Sequence, residues 1–262
     1  MTLVNSGNND FNATIRRDRR QVNNFDNPAK RLLHILRAGR KKPAGESCRK
    51  VWHELLDTNG DEAILMSRLG KVMTLPGEIV QAYRRHYPNQ SGTWNHWFQQ
   101  VTNAFVSQQL ASNWQSFNGH IDDHSMTYLG MTADMLANRD YVETLEAEQV
   151  EALRSDAQEL LNETLQSDLD PKVKDAIARH LQRLLTALNE YVLTGALPVL
   201  DAVEGGIGRI ALDEKYADAL KNTSIGQRFV NVLTTAANIV TVVVGLPQLP
   251  AGVHAATKLL GM

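Results

Sequence analysis

The chain has 262 residues, 43% of them hydrophobic and 21% charged, with a formal net charge of −2. It is long enough for one large domain or two small ones, and can bury a core without covalent staples. A single cysteine, Cys48, excludes an intramolecular disulfide framework and fits a reducing compartment.

The near-neutral total conceals a segregation of charge. Residues 1–50 carry twelve Lys or Arg against four Asp or Glu, a net of +8, which leaves −10 for the rest of the chain. Residues 1–26 are rich in Asn, Arg and Asp and have few apolar anchors. They cannot bury enough surface to offset the entropy of ordering, so a mobile basic arm is expected there. The stretch has no apolar run of the kind a secretory signal needs. Its sharpest feature is Arg16, Arg17, Arg19 and Arg20 around Asp18. That pattern suits a solvated tail, or a tail resting on the chain's own acidic middle, ahead of contact with nucleic acid, anionic lipid or an acidic partner.

Asn27 and Pro28 carry the start signal of a helix with Leu32, Leu33, Ile35 and Leu36 inward; Gly39 and the run to Gly45 end it. Ser47 then caps a helix burying Val51, Trp52, Leu55 and Leu56, with His53 at the core edge. The loop from Asp57 to Glu62 has Asp57, Asn59 and Asp61 at alternate positions, but its sixth residue is Glu62 and its twelfth is Arg68. It fails the calcium-loop pattern and is expected to be a turn that starts a helix. Helices are expected near 62–73 and 76–86, with Pro76 in the first turn of the second. After the loop at Tyr87–Gly92, Trp94, Trp97, Phe98, Val101, Phe105 and Val106 form an aromatic helical face. With no Lys or Arg between Trp94 and Trp114, these rings suit a core better than a base-stacking platform.

The most enzyme-like string is His120-Ile121-Asp122-Asp123-His124. Histidines at i and i+4 on one helix face can hold zinc, which makes His120, Asp123 and His124 the candidate metal ligands. Ile121 stands where a zinc hydrolase has its general-base Glu, and Ser125 looks like the cap of the next helix. A capping turn is the expected structure, and no metal or cofactor is expected. Residues 140–170 hold ten acids against Arg154 alone, with a partial apolar stripe at Val150, Leu153, Leu160, Leu161 and Leu165; this reads as a solvated helix face.

From Asp170 to Val203 apolar or small residues recur at steps of three or four: Val173, Ile177, Leu181, Leu184, Leu188, Val192, Gly195, Val199 and Val203. This is the expected long central helix, with Lys172, Asp175, Arg179, Gln182, Arg183 and Glu190 on its opposite, solvated face. Asp170 caps it, Pro171 sits in its first turn, and Pro198 kinks or restarts it near Thr194. Gly195, Pro198, Gly205, Gly206 and Gly208 are read as positions of close helix–helix approach or hinging, since no strand or phosphate-loop pattern precedes them. Between Arg228 and His254 no residue is charged. The run is shorter than a membrane span needs and is interrupted by Asn and Thr, so a buried helix is favoured; a membrane-active hairpin over 225–262 is the alternative.

The segments NPAKRLLHIL, HIDDHSMTYLGMTADML and LNEYVLTGALPVLDAVEGGIGRIAL together resemble a loose group of uncharacterised all-helical bacterial proteins. The resemblance spans most of residues 27–215 and rests on apolar spacing and glycines. It implies an all-α fold, a cytosolic bacterial setting and an association with defence or toxin operons, and it carries no catalytic residues. The expected fold is an all-α multi-helix bundle with a long central amphipathic helix and an apolar C-terminal helical segment. Its expected regions are an arm (1–26), an N-terminal helical region (27–116), an acidic region with the central helix (117–222) and an apolar segment (223–262). The expected function is that of a cytoplasmic, non-enzymatic interaction protein, an adaptor or effector subunit. A protein partner or self-association is expected, with nucleic acid through the arm as a further contact. A membrane-perturbing effector and a metal-dependent hydrolase are the rivals.

Overall fold

A computed structural model describes residues 27–90, 92–139 and 145–244, with side chains as far as Thr241. The basic arm at 1–26, Asp140 and Glu143 of the acidic stretch, and the segment 245–262 lie outside the described residues. Among the described residues there are twelve α-helices and no strand, so the expected all-α class is what is seen. An isolated antiparallel bridge joins Ser47 and Asn113. The chain divides into two compact units, one holding described residues 27–139 and 190–195, the other 145–189 and 196–244.

The first unit contains α1 (Pro28–Arg40), α2 (Cys48–Leu56), α3 (Glu62–His86), α4 (Asn95–Ser107), α5 (Gln115–Asn118) and α6 (Asp123–Ala137). Its starts follow local chemistry. The Asn27 side chain accepts the Lys30 amide at 2.9 Å ahead of Pro28, and Ser47 accepts that of Lys50 at 3.4 Å. Asp57, Asn59 and Gly60 turn the chain through the left-handed region, and Asp61 then caps α3. The core is aromatic. Trp52 meets Trp114 and Phe117 edge-on at 5.2 and 4.9 Å, and Trp114 stacks on Phe117 at 4.9 Å. The Trp114 indole N–H donates to the Gly39 carbonyl at 2.9 Å, and a Cβ at Gly39 would lie 2.9 Å from the Trp114 ring. Gly39, expected to end α1, thus also admits the indole.

Two expectations are corrected here. The helices expected at 62–73 and 76–86 are one helix, α3, which runs through Pro76. Proline removes one backbone hydrogen bond at a cost of about 3 kcal/mol. Leu69, Val72, Leu75, Ile79 and Val80, all buried on both sides of it, offset that cost. Secondly, α6 packs on α1 and α4. It therefore belongs with the N-terminal helices, not with the acidic region in which a boundary at 116/117 places it.

The second unit contains α7 (Ala147–Gln166), α8 (Pro171–Asn189), α10 (Leu197–Leu212), α11 (Glu214–Lys221) and α12 (Ser224–Val244). Helices α7, α8, α10 and α12 close a ring in which each packs on two neighbours, α7 on α8, α8 on α10, α10 on α12 and α12 on α7. Asp170 caps α8 as expected, accepting the amides of Lys172 and Val173 at 2.9 and 3.3 Å. Here the core is mainly aliphatic: Leu160, Ile177, Leu181, Leu184, Leu188, Val203 and Val240, with the buried rings of Phe229 and Tyr216.

The long central helix stops short. The stripe from Val173 holds to Leu188, and α8 then ends at Asn189. A single turn, α9 (Tyr191–Thr194), follows as part of the first unit, and α10 restarts at Leu197 with Pro198 in its first turn. Val192, placed in the stripe by spacing, is 44% exposed. At the break stands Glu190. Expected on the solvated face, it is buried, and its carboxylate pairs with the Lys71 ammonium, with Arg68 Nε 3.9 Å away.

Candidate functional site

The string from His120 to His124 does not form the one-faced helical site that its spacing allows. Helix α6 begins only at Asp123, so His120 stands in the turn before it and His124 in its first turn. The cap is Asp122 and not Ser125: Asp122 Oδ1 accepts the Ser125 amide at 2.6 Å. Asp123 is tied to Arg40 at 2.6 Å. The partner that sequence missed is His96 of α4, whose Nε2 lies 2.9 Å from Asp122 Oδ2. The His96 ring is 6.2 Å from that of His124, and each is 6.4 Å from Tyr128.

Burial alone would raise the Asp122 pKa, but the Ser125 hydrogen bonds and the His96 pairing outweigh it and hold it near 2. Asp122 is therefore a carboxylate with both oxygens committed, one to a helix start and one to an imidazole. Among the described residues no group of three His, Cys, Asp or Glu is placed to hold a metal ion. The Cys48 thiol is buried, and desolvation raises its pKa, so it is protonated at neutral pH.

The glycine positions separate into three kinds. Gly195 has φ +76°, a conformation open to glycine and strained for other residues, so it marks the turn between α9 and α10. Gly206 is a close approach: a Cβ there would lie 2.8 Å from Leu233 Cδ1 of α12. Gly205 and Gly208 would meet nothing within 4 Å, so the close packing expected at those two is not seen. On α12 the residues Phe229, Val230, Leu233, Ala236, Ala237 and Val240 are buried in the second unit. No helix among the described residues is long and apolar enough to cross a membrane. Arg16, Arg17, Arg19 and Arg20 lie outside the described residues.

The feature that stands out is the outward face of α3. Its buried stripe is Leu65, Leu69, Val72, Leu75, Ile79 and Tyr83. On the solvent side runs a second line, Ala63, Met66, Gly70, Met73 and Gly77, closing on the uncharged Gln81, at the three-and-four spacing of a helix contact seam. All six are exposed, Met66 by 46% and Met73 by 45%. A Cβ at Gly70 or Gly77 would meet nothing within 4 Å. Among the exposed positions from Ala63 to Gln81, Glu78 alone is charged. Single exposed apolar residues are ordinary; this line instead runs uncharged over about five turns. The sequence signal was the 4-3-4 spacing of Met66, Gly70, Met73 and Gly77, hidden by reading α3 as two helices. No protein-family model, no curated protein and no solved structure matches the chain.

Proposed function

We propose that this protein acts by binding and not by catalysis, as an adaptor or effector subunit whose docking surface is the outward face of α3. One observation carries the reading: a long helix, anchored on its inner face by a buried stripe, presents an outer face that is mostly apolar or small and almost free of charge. Such a face is costly to leave wet and gives a rigid partner-binding element. The acid–imidazole group at the start of α6 supports catalysis less well, because Asp122 spends its oxygens on a cap and an ion pair. A cytoplasmic setting belongs to the same proposal and rests on the single, buried thiol of Cys48. The bacterial-defence setting rests on the sequence resemblance alone. The basic arm at Arg16, Arg17, Arg19 and Arg20 adds a second contact for an acidic partner or nucleic acid.

The test is a photo-crosslinking side chain placed at Thr74, beside the α3 line, or at Gln158 on the exposed side of α7, in cells making the protein. The Thr74 position is expected to give a discrete higher-mass protein adduct that Met73→Glu removes, and the Gln158 position none. No adduct at Thr74, or equal adducts at both positions, would overturn the reading.

A further inference from the structure

Resting on that reading, the pattern of the α3 face also says what covers it. Large and small residues alternate along the seam in the order Met66, Gly70, Met73, Gly77. Laid antiparallel on itself about a two-fold axis between residues 71 and 72, the line brings Met66 opposite Gly77 and Gly70 opposite Met73, twice over. Each thioether then fills the space that a glycine leaves, and the glycines let the two backbones approach. A parallel pairing would set methionine against methionine and glycine against glycine. The helix ends select the same direction. Asp57, Asp61 and Glu62 cluster at the N-terminal end of α3, although Arg49 and His53 engage Glu62, while Arg84, which also lies 4.9 Å over the Trp94 ring, and Arg85 are exposed at its C-terminal end. Antiparallel pairing sets acid near arginine at both ends and opposes the helix dipoles; parallel pairing stacks like on like.

We propose that α3 docks on α3 of a second copy of this chain, antiparallel and two-fold symmetric, with Met66 and Met73 of each copy seated over Gly77 and Gly70 of the other. An isologous contact of this kind closes on itself and leaves no sticky end. The paired line is about 28 Å long. Alone it buries less than the ~800 Å² per partner of a standard interface, so the dimer is one that dilution reverses.

The experiment uses the full chain. Sedimentation over a concentration series is expected to show a reversible monomer–dimer equilibrium, and Met73→Glu to leave a monomer with unchanged helix content. The direction is read by mild oxidation of Met66→Cys and Gly77→Cys chains, since the native Cys48 is buried and does not compete. In the antiparallel pair residue 66 faces residue 77, while two copies of residue 66 stand about 16 Å apart along the axis, beyond disulfide reach. A mixture of the two chains is expected to cross-link as the mixed species, and each chain alone to form no disulfide. Self-cross-linking of Met66→Cys, or a monomer at every concentration, overturns the pairing. If the chain is monomeric yet the Thr74 adduct persists with a different protein, the pairing fails and the binding function survives. If neither is found, both fail.

Discussion

Helices α3 and α7 belong to different units and are both long and one-sided, yet they are finished differently on the side away from the core. The exposed face of α7 carries Glu148, Glu151, Asp156, Glu159 and Glu163, with Arg154 tied to Glu151 at 2.6 Å and Arg228 tied to Glu163. That is how a helix is built to stay in water, with charge keeping the outer face solvated. From Ala63 to Gln81 the exposed face of α3 has one acid, Glu78, and two half-exposed methionines. The cores differ as well. All four tryptophans lie in the first unit and lock it through ring contacts, whereas the second unit is packed mainly from Leu, Ile, Val and Ala around Phe229 and Tyr216. The lesson is that the same helical period serves opposite ends, and only the chemistry away from the buried stripe separates a solvated helix from a docking one.

Glycines sharpen the contrast, because the two units use them differently. Gly206→Val on α10 drives a side chain into Leu233 and is expected to cost about 1–3 kcal/mol, the range for overpacking a filled core. Gly77→Ala on α3 meets open space in the single chain and removes a poor helix former. It should raise stability by about 0.5–1 kcal/mol. Denaturant titrations at low protein concentration check both, with far-UV circular dichroism for the first and tryptophan emission for the second. Equal effects of the same sign would break the distinction between packed and open glycines.

The smallest expected effect is a pH dependence confined to the second unit. His180 is buried against Phe229, and its pKa is lowered first by burial and then by Arg183, Arg209 and Arg179. The folded state resists the proton that the unfolded chain takes up near pH 6.5. The contribution of His180 is therefore present above that pH and is lost as pH falls through it. Stability by circular dichroism should decline from pH 7.5 to 5.5, and His180→Leu should flatten the slope. A wild-type profile that is level over this interval would remove the argument.

Much of the fold was legible because it is written locally. Asn27 and Asp170 announce helix starts through a side chain three residues or fewer from the amide it caps, and the Asp57–Asp61 turn has its left-handed residues in sequence. What was not legible depends on residues far apart. Glu190 looked like a solvated acid because Lys71 and Arg68 are more than a hundred positions away. His96 joins Asp122 across 26 residues, and the His120–His124 string by itself gives no sign of that partner. Pro76 hid the continuity of α3, because proline is a strong local stop signal and only burial on both sides overrides it. Once α3 is one helix, its second line of residues can be read from the sequence itself.

The most direct measurement of the central claim, that the outward α3 face is covered by a second copy of the chain, compares methionines within one chain. Met66, Met73 and Met131 are 46%, 45% and 56% exposed in the single copy. The chain would be treated with dilute peroxide over a range of protein concentrations, and sulfoxide at each residue counted by peptide mass spectrometry. At high concentration Met66 and Met73 are expected to oxidise several-fold more slowly than Met131, with the three rates converging on dilution or in Gly70→Glu. Equal rates at every concentration would show that no second copy covers the face and would contradict the pairing.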